Sequence, residues 1–403
     1  MEVPGPDAVT RATPSQRRER PLLVHLTTTD MSLDWLLAPQ LRAFADAGYD
    51  VVGMSAPGTH VASLEASGIR HVALPAFTRS TNPFDDLRAA AQLWRALRRE
   101  RPDILHTHNP KPGIIGRIIG RLAGVPLVVN TQHGLYAQPG DHWKRRLPVY
   151  AAERLAASFS HVELVQSPED VDTLVRSLRV PRSRVRLLGN GIDLDRFSPH
   201  AVDPGARTAL RSQWQIAPNE IVVGLVGRLV REKGIVEVLE AAHLLRTRAV
   251  PARIVVIGPA DPGKADAIDD RLIARAADDG VVFAGRRDDM PECYSAMDLY
   301  LTASWREGFP RSAMEAAAMG LPTVATDIRG NRQVVRHDHT GLLVPVRSPH
   351  AIADAVAALI EQRHRWPSLS AAALAAAADE FDQRRVIART LDAYRGIGGD
   401  DRT

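Results

Sequence analysis

Short, continuously apolar runs alternate with Ala-, Leu- and Arg-rich helical stretches along almost the whole chain, and no other feature restricts the fold so tightly. Residues 22–26, 50–54, 71–74, 104–107, 127–131 and 162–166 read as strands, each followed by a helix-like segment. Leu36, Leu37, Leu41 and Phe44 recur at helical spacing and stop at Gly48. A strand that is apolar throughout, rather than at alternate positions, belongs in a parallel sheet covered on both faces. A second series follows at 221–227, 253–258, 281–283, 299–302, 323–326 and 341–344. Between them, residues 189–211 contain Asn190-Gly191, Pro199 and Pro204, which are turn and loop signals and mark the boundary. The expected architecture is α/β, with two doubly wound Rossmann-like parallel-sheet domains facing a cleft. They span residues 21–195 and 196–375, and a helix and tail at 376–403 return to the N-terminal domain. The polar, Pro- and Arg-rich residues 1–20 are expected to form a disordered leader. Ligands of such sheets bind beyond the carboxyl ends of the strands, so function belongs in those loops.

Composition narrows the function. No apolar run reaches the roughly 18–20 residues of a membrane-spanning helix, and the leader lacks the apolar stretch of a secretory signal. The single cysteine, Cys293, excludes an internal disulfide and a cysteine zinc site, which favours a reducing cytoplasm. Residues 1–200 carry 25 basic against 20 acidic side chains, and the remainder 26 against 27. An anionic partner is therefore expected on the first half. No basic stripe with interleaved aromatics and no nucleic-acid motif is present, so nucleic acid is not an expected partner.

Two segments carry chemistry. In Glu307-Gly308-Phe309-Pro310-Arg311-Ser312-Ala313-Met314-Glu315, Pro310 suits the first turn of a helix. The free N–H groups of that turn suit a phosphate. Glu307 falls in the preceding loop and Glu315 about a turn inside the helix. Two such carboxylates can hold the hydroxyls of a sugar or ribose, or equally be a solvated loop charge and a surface helix residue. In Gly227-Arg228-Leu229-Val230-Arg231-Glu232-Lys233-Gly234, Gly227 permits close approach, while Arg228 and Lys233 bring two cations to a strand end. Neither a Walker motif nor a dinucleotide fingerprint is present.

In combination these segments are specific. Gly189-Asn190-Gly191-Ile192-Asp193, then Gly227-Arg228 with Lys233-Gly234, then Glu307-x7-Glu315, then Gly320-Leu321-Pro322 resembles glycosyltransferase family 4 of the GT-B enzymes, over residues 22–395. The resemblance implies a retaining, metal-independent glycosyltransferase that moves a sugar from a nucleotide diphosphate, with UDP expected, to a hydroxyl. No cofactor is expected, because the nucleotide-sugar is a substrate. By the same resemblance, Arg228 and Lys233 hold the donor diphosphate, Glu315 the ribose and Glu307 the sugar ring. The backbone of Gly308, Phe309 and Pro310 wraps sugar and phosphate, with Gly227 beside it. Gly285 and Arg286 lie where the base is held, and His133 reaches the donor sugar from the other lobe.

The chain departs from the family at Thr27-Thr28-Thr29-Asp30, where a Gly-Gly loop is common. Thr29, Asp30, His108 and Lys111 are expected on the acceptor side. His106 and His108 suggest a metal, but no third ligand stands at convincing spacing, so none is assigned. The acceptor is expected to be a glycan or polyprenyl-linked sugar of cell-surface polysaccharide synthesis. His142-Trp143-Lys144-Arg145-Arg146-Leu147-Pro148 is expected to touch an anionic membrane, placing the enzyme in the cytoplasm and peripherally at the inner face. Pro148 is expected to start a helix there, with a basic loop packing its Trp on the domain as the alternative. A sugar-nucleotide 2-epimerase and a silent sugar-nucleotide-binding protein remain as alternatives, while the upstream cations argue against a glycosidase.

Overall fold

The computed structural model describes residues 19–78, 82–108, 110–135, 137 and 140–398. The expected disordered leader, apart from Glu19 and Arg20, and the end of the tail lie outside the described residues. The first sheet comprises β1 (Leu22–Thr29), β2 (Asp50–Ala56), β3 (Arg70–Ala73), β4 (Ile104–His108), β5 (Leu127–Gln132), β6 (Val162–Val165) and β7 (Val185–Leu187) in the order β3-β2-β1-β4-β5-β6-β7. The second comprises β8 (Ile221–Val226), β9 (Ala252–Ile257), β10 (Val282–Gly285), β11 (Leu299–Thr302), β12 (Thr323–Thr326) and β13 (Gly341–Val344), ordered β10-β9-β8-β11-β12-β13. All pairings of the second sheet are parallel. Both orders reverse direction of growth beside the first strand, the doubly wound pattern. By compactness the chain divides into two units, residues 1–129 and 130–403, at a point within β5.

The uninterrupted apolar strands are buried as their composition requires. In the first unit, Leu22, Val24 and Leu26 of β1 pack with Val52, Met54, Leu93 and Leu97. In the second, Val223 and Leu225 of β8 pack with Ile254, Leu299 and Val324. β7 carries only three residues, Val-Arg-Leu, and only Val185 is buried, so it lacked the apolar run that marks the other strands.

Two local expectations need correction. Leu36 is exposed, while Leu33, Leu37, Leu41 and Phe44 are buried. The helix opens with a wide π-type stretch, Ser32–Leu37, before the α-helix Ala38–Asp46. Such a turn holds more residues than an α-turn, which shifts the helix phase and turns Leu36 outward. Pro148 does not start a helix. It lies inside the helix Trp143–Ala157, which His142 caps by accepting from the Lys144 N–H at 3.3 Å.

The last helix, Gln383–Gly398, packs on the segment that follows β7. The Ile192 N–H donates to Phe381 O at 2.8 Å, the Gln383 N–H returns to Ile192 O at 3.0 Å, and Arg389 Nη1 donates to Leu188 O at 2.9 Å. A Cβ at Gly191 would lie 2.6 Å from Gln383 Cα, so the crossing requires glycine there. No helix among the described residues is long and apolar enough to cross a membrane.

Candidate functional site

The second unit gathers four strand-end loops around one spot. Strand β11 ends at Thr302, the chain loops through Ser304 and Glu307, and a helix begins at Arg311. Pro310 caps this helix, with φ −73° and ψ 109°, rather than occupying its first turn. Its ring fixes φ near the value needed to lead into the helix.

Glu307 and Lys233 are brought together. Lys233 Nζ makes a short ion pair with Glu307 Oε1, which also accepts from Ser304 Oγ at 2.8 Å. Lys233 ends a single tight turn, Arg231–Lys233, after β8. Gly234 follows at φ 70°, where a Cβ would strike Ala303 O at 2.1 Å, so only glycine lets the Lys233 turn seat against the β11 loop. Gly227 is different. A Cβ there would meet only the Lys233 side chain, at 3.7 Å, so packing within the protein does not demand glycine. The tight contact is made by Gly258, whose Cβ would lie 2.0 Å from Gly227 O.

Arg228 does not join the Lys233–Glu307 pair. Its Nη1 donates to Asp261 Oδ2 at 2.7 Å, and Nη2 lies 3.5 Å from Glu232 Oε1. Its guanidinium keeps further N–H groups for an anion. Gly285 closes β10 with φ 65°, and the exposed Arg286 lies beside it, 3.4 Å from Asp288.

Glu315 is not a surface residue, being 8% exposed. Its Oε2 accepts from the Tyr294 hydroxyl at 2.9 Å and its Oε1 from Arg311 Nε at 3.1 Å. Burial raises its pKa, and Arg311 and the Tyr294 hydroxyl pull it back. Burial also raises the Tyr294 hydroxyl well above its ordinary value, so it stays a proton donor to this carboxylate. Tyr300 donates to Ser312 Oγ at 2.8 Å and steadies the same helix start. Tyr294, Arg311 and Ser304 were missed in the sequence. Only the i, i+4 spacing of Arg311 and Glu315 signalled one of these contacts.

His133 meets the Glu307 loop through backbone. A Cβ on Gly308 would lie 2.2 Å from His133 O, and a Cβ on Gly134, at φ 105°, would lie 2.9 Å from Gly308 Cα. A Cβ on Gly330 would lie 2.6 Å from Glu307 O. Three glycines thus allow three backbones to touch around Glu307–Gly308. Asn190 Nδ2 reaches Phe309 O at 3.4 Å, and the Phe309 ring meets Phe381 edge-on at 6.0 Å. His133 Nδ1 pairs with Gln166 Nε2 at 3.2 Å. Burial of the imidazole pushes its pKa down to about 4, so it is neutral at neutral pH and works as a hydrogen-bonding group rather than a cation. Arg329 anchors this corner with a 2.5 Å ion pair to Asp170, at 7% and 1% side-chain exposure.

In the first unit the four acceptor-side residues all have internal partners. Asp30 accepts from the N–H groups of Met31 at 2.9 Å and His60 at 2.7 Å. Thr29 Oγ1 lies 3.2 Å from Ser32 Oγ, Lys111 Nζ 2.5 Å from Asp86 Oδ1, and His108 Nε2 3.0 Å from His25 Nδ1. Asn109 lies outside the described residues.

The sequence and the fold have counterparts in known proteins. Residues 206–378 match the family described as Glycosyl transferases group 1, and residues 35–191 the Glycosyl transferase 4-like domain. The chain is 32% identical over 285 residues to a GDP-mannose-dependent alpha-mannosyltransferase of Mycobacterium tuberculosis, covering 68% of this chain and 69% of that one. It is 28% identical over 300 residues to the UDP-Gal:alpha-D-GlcNAc-diphosphoundecaprenol alpha-1,3-galactosyltransferase of Escherichia coli, covering 73% and 76%. Its fold is similar to that of Anabaena HepE in complex with UDP, at TM-score 0.77 and 21% identity over 94% of this chain and all of that one.

Proposed function

This chain belongs to the family 4-like glycosyltransferases of the GT-B fold, and from that premise we propose that it transfers a sugar, with retention, from a UDP-sugar to a hydroxyl of a lipid-linked or glycan acceptor. The observation that carries this reading is the joining of Lys233, Glu307, Gly308 and His133 at one point, with the buried Glu315 on the adjoining helix. Lys233 lies where charge would build on a departing diphosphate, and Glu307 beside it can take the hydroxyls of the transferred sugar. Arg228 supplies the second cation by sharing its guanidinium between Asp261 and the phosphate. The similar E. coli protein is named for a UDP-sugar and a diphosphoundecaprenol acceptor, while the mycobacterial one is named for GDP-mannose. Thermal shift with a panel of UDP- and GDP-sugars tests the donor, because a ligand that binds only the folded state raises Tm. A rise with GDP-sugars alone overturns the uridine assignment.

Glu315 and Glu307 should separate kinetically. Ribose contacts hold in both ground and transition states, so Glu315→Ala is expected to act mainly on KM. Sugar-ring contacts tighten as the ring flattens, so Glu307→Ala should act mainly on kcat. The reverse pattern exchanges the two roles. Transfer is proposed to need no divalent cation, a reading supported by the two cationic side chains, Lys233 and Arg228, that follow β8. Turnover should survive chelation, and loss that Mg²⁺ or Mn²⁺ restores refutes this.

Docking on an anionic membrane is supported by the helix Trp143–Ala157. Trp143, Leu147 and Leu155 are 58%, 63% and 57% exposed and recur at multiples of four, so they share a face. Lys144 lies 5.8 Å from the Trp143 ring, and Arg145 lies 4.0 Å from Asp141. Trp143 thus stands out from the protein, as an interfacial residue does. In the first unit the helix Pro83–Glu100 likewise exposes Phe84, Leu87 and Trp94 beside Arg88 and Arg95. At about 1 kcal/mol per cation the docking is weak and salt-sensitive. Anionic vesicles should co-sediment the parent at low salt and release it at high salt. A Lys144/Arg145/Arg146→Ser triple variant should bind less, and equal binding by both removes this helix from the docking face.

A further inference from the structure

We propose that His25, His106 and His108 form a binding site for a divalent cation of the zinc class inside the first unit. The sequence shows only His106 and His108, two residues apart on one strand. The third ligand comes from 83 residues before His108. Strands β1 and β4 pair in parallel with His25 opposite His106, and His108 is on the same face two residues on. Three imidazoles therefore project to one side of two adjacent strands. Their ring centroids are 4.8 Å apart for His25 and His106, 5.3 Å for His25 and His108, and 4.5 Å for His106 and His108.

One ring nitrogen from each lies within 4.8 Å of the other two. Zinc–nitrogen bonds of about 2.0–2.1 Å in a tetrahedron place two ligand nitrogens roughly 3.4 Å apart. His25 Nδ1 and His108 Nε2, at 3.0 Å, already approach that separation. His106 supplies the third ring nitrogen, within 4.8 Å of the other two. All three residues are buried, at 0%, 1% and 4% exposure, and Phe44 stacks on the His25 ring at 5.5 Å, which limits its orientation. A donor set of imidazoles selects Zn²⁺, Co²⁺, Ni²⁺ or Cu²⁺ over Mg²⁺ or Ca²⁺, which prefer oxygen. The ion would staple the middle of β1 to the second half of β4. It takes no part in the proposed donor chemistry, whose residues are in the second unit, and this inference stands independently of the transfer reaction.

The test uses the full-length chain, stripped by a chelator and titrated with Co²⁺ while its visible absorption is followed. Uptake should saturate at one ion per chain, Zn²⁺ should displace the Co²⁺, and Mg²⁺ should do nothing. Zn²⁺ should also raise the Tm of the parent. His25→Phe keeps a flat ring against Phe44, and His106→Gln keeps a polar side chain of similar length. Either variant should bind Co²⁺ at least 100-fold more weakly and lose the Tm response to Zn²⁺. No uptake by the parent at micromolar metal overturns the site. Unchanged uptake in both variants does so too, because it assigns the ion to other histidines. Should the variants fail to fold, X-ray absorption of the zinc-loaded parent decides. A shell with three imidazoles supports the site, and one dominated by oxygen or sulfur overturns it.

Discussion

Lys233→Ala is expected to lower turnover by about 10²–10³, roughly 3–4 kcal/mol of transition-state stabilisation. The lysine is charged with two tasks in the proposed reaction. It faces the leaving diphosphate, and it neutralises Glu307, to which it is paired. Removing it takes away a fixed cation and leaves the Glu307 carboxylate with Ser304 Oγ alone among its described partners, repelling the incoming phosphates. Arg228→Ala should also slow transfer, but less, because Arg228 is held by Asp261 and Glu232 and does not contact Glu307. Steady-state release of nucleoside diphosphate, with circular dichroism as a check on folding, measures both. Turnover of Lys233→Ala within threefold of the parent would sink the assignment of this loop to the diphosphate.

The largest expected effect on stability comes from Arg329→Ala. The pair with Asp170 is almost wholly buried, and removing one member strands the other charge in a poorly solvating interior. Such a loss costs about 3–5 kcal/mol, a fall in Tm on the order of 10 °C for a unit of this size. The consequence reaches the site. Asp170 also accepts from Ser167 Oγ at 3.0 Å, and Ser167 follows Gln166, which holds His133 Nδ1. Turnover should therefore drop along with stability. Replacing both members by apolar residues, Arg329→Met with Asp170→Leu, should restore much of the Tm, because no uncompensated charge remains. A single-variant Tm within about 2 °C of the parent, on a scale where 1 kcal/mol is worth roughly 2–4 °C, would show that the pair is solvated and not the anchor inferred here.

Much of the donor-side arrangement was legible because it rests on local rules. β11, β12 and β13 occupy the residues their apolar runs marked, 299–302, 323–326 and 341–344. The helix after Pro310 follows from a proline that can lead into a helix and an Ala-rich run that sustains it. The environments of the side chains were not legible. Spacing left Glu315 equally open as a surface charge. Its burial depends on Tyr294, 21 residues away, whose hydroxyl satisfies the carboxylate. The internal demand for glycine at Gly258 was not legible either, because its close approach to Gly227 O involves a second backbone that no single stretch of sequence reveals.

By itself, then, the sequence determined the strand-and-helix alternation, the parallel doubly wound class and the order of the motifs. These follow from hydrophobic periodicity and backbone preference, which act over a few residues. Only the tertiary structure decided which groups meet: Lys233 with Glu307 across 74 residues, Arg329 with Asp170 across 159, and His25 with His108 across 83. Strand order and register set those meetings. They depend on the packing free energy of the whole sheet, and pairings so distant in the chain leave no local signal.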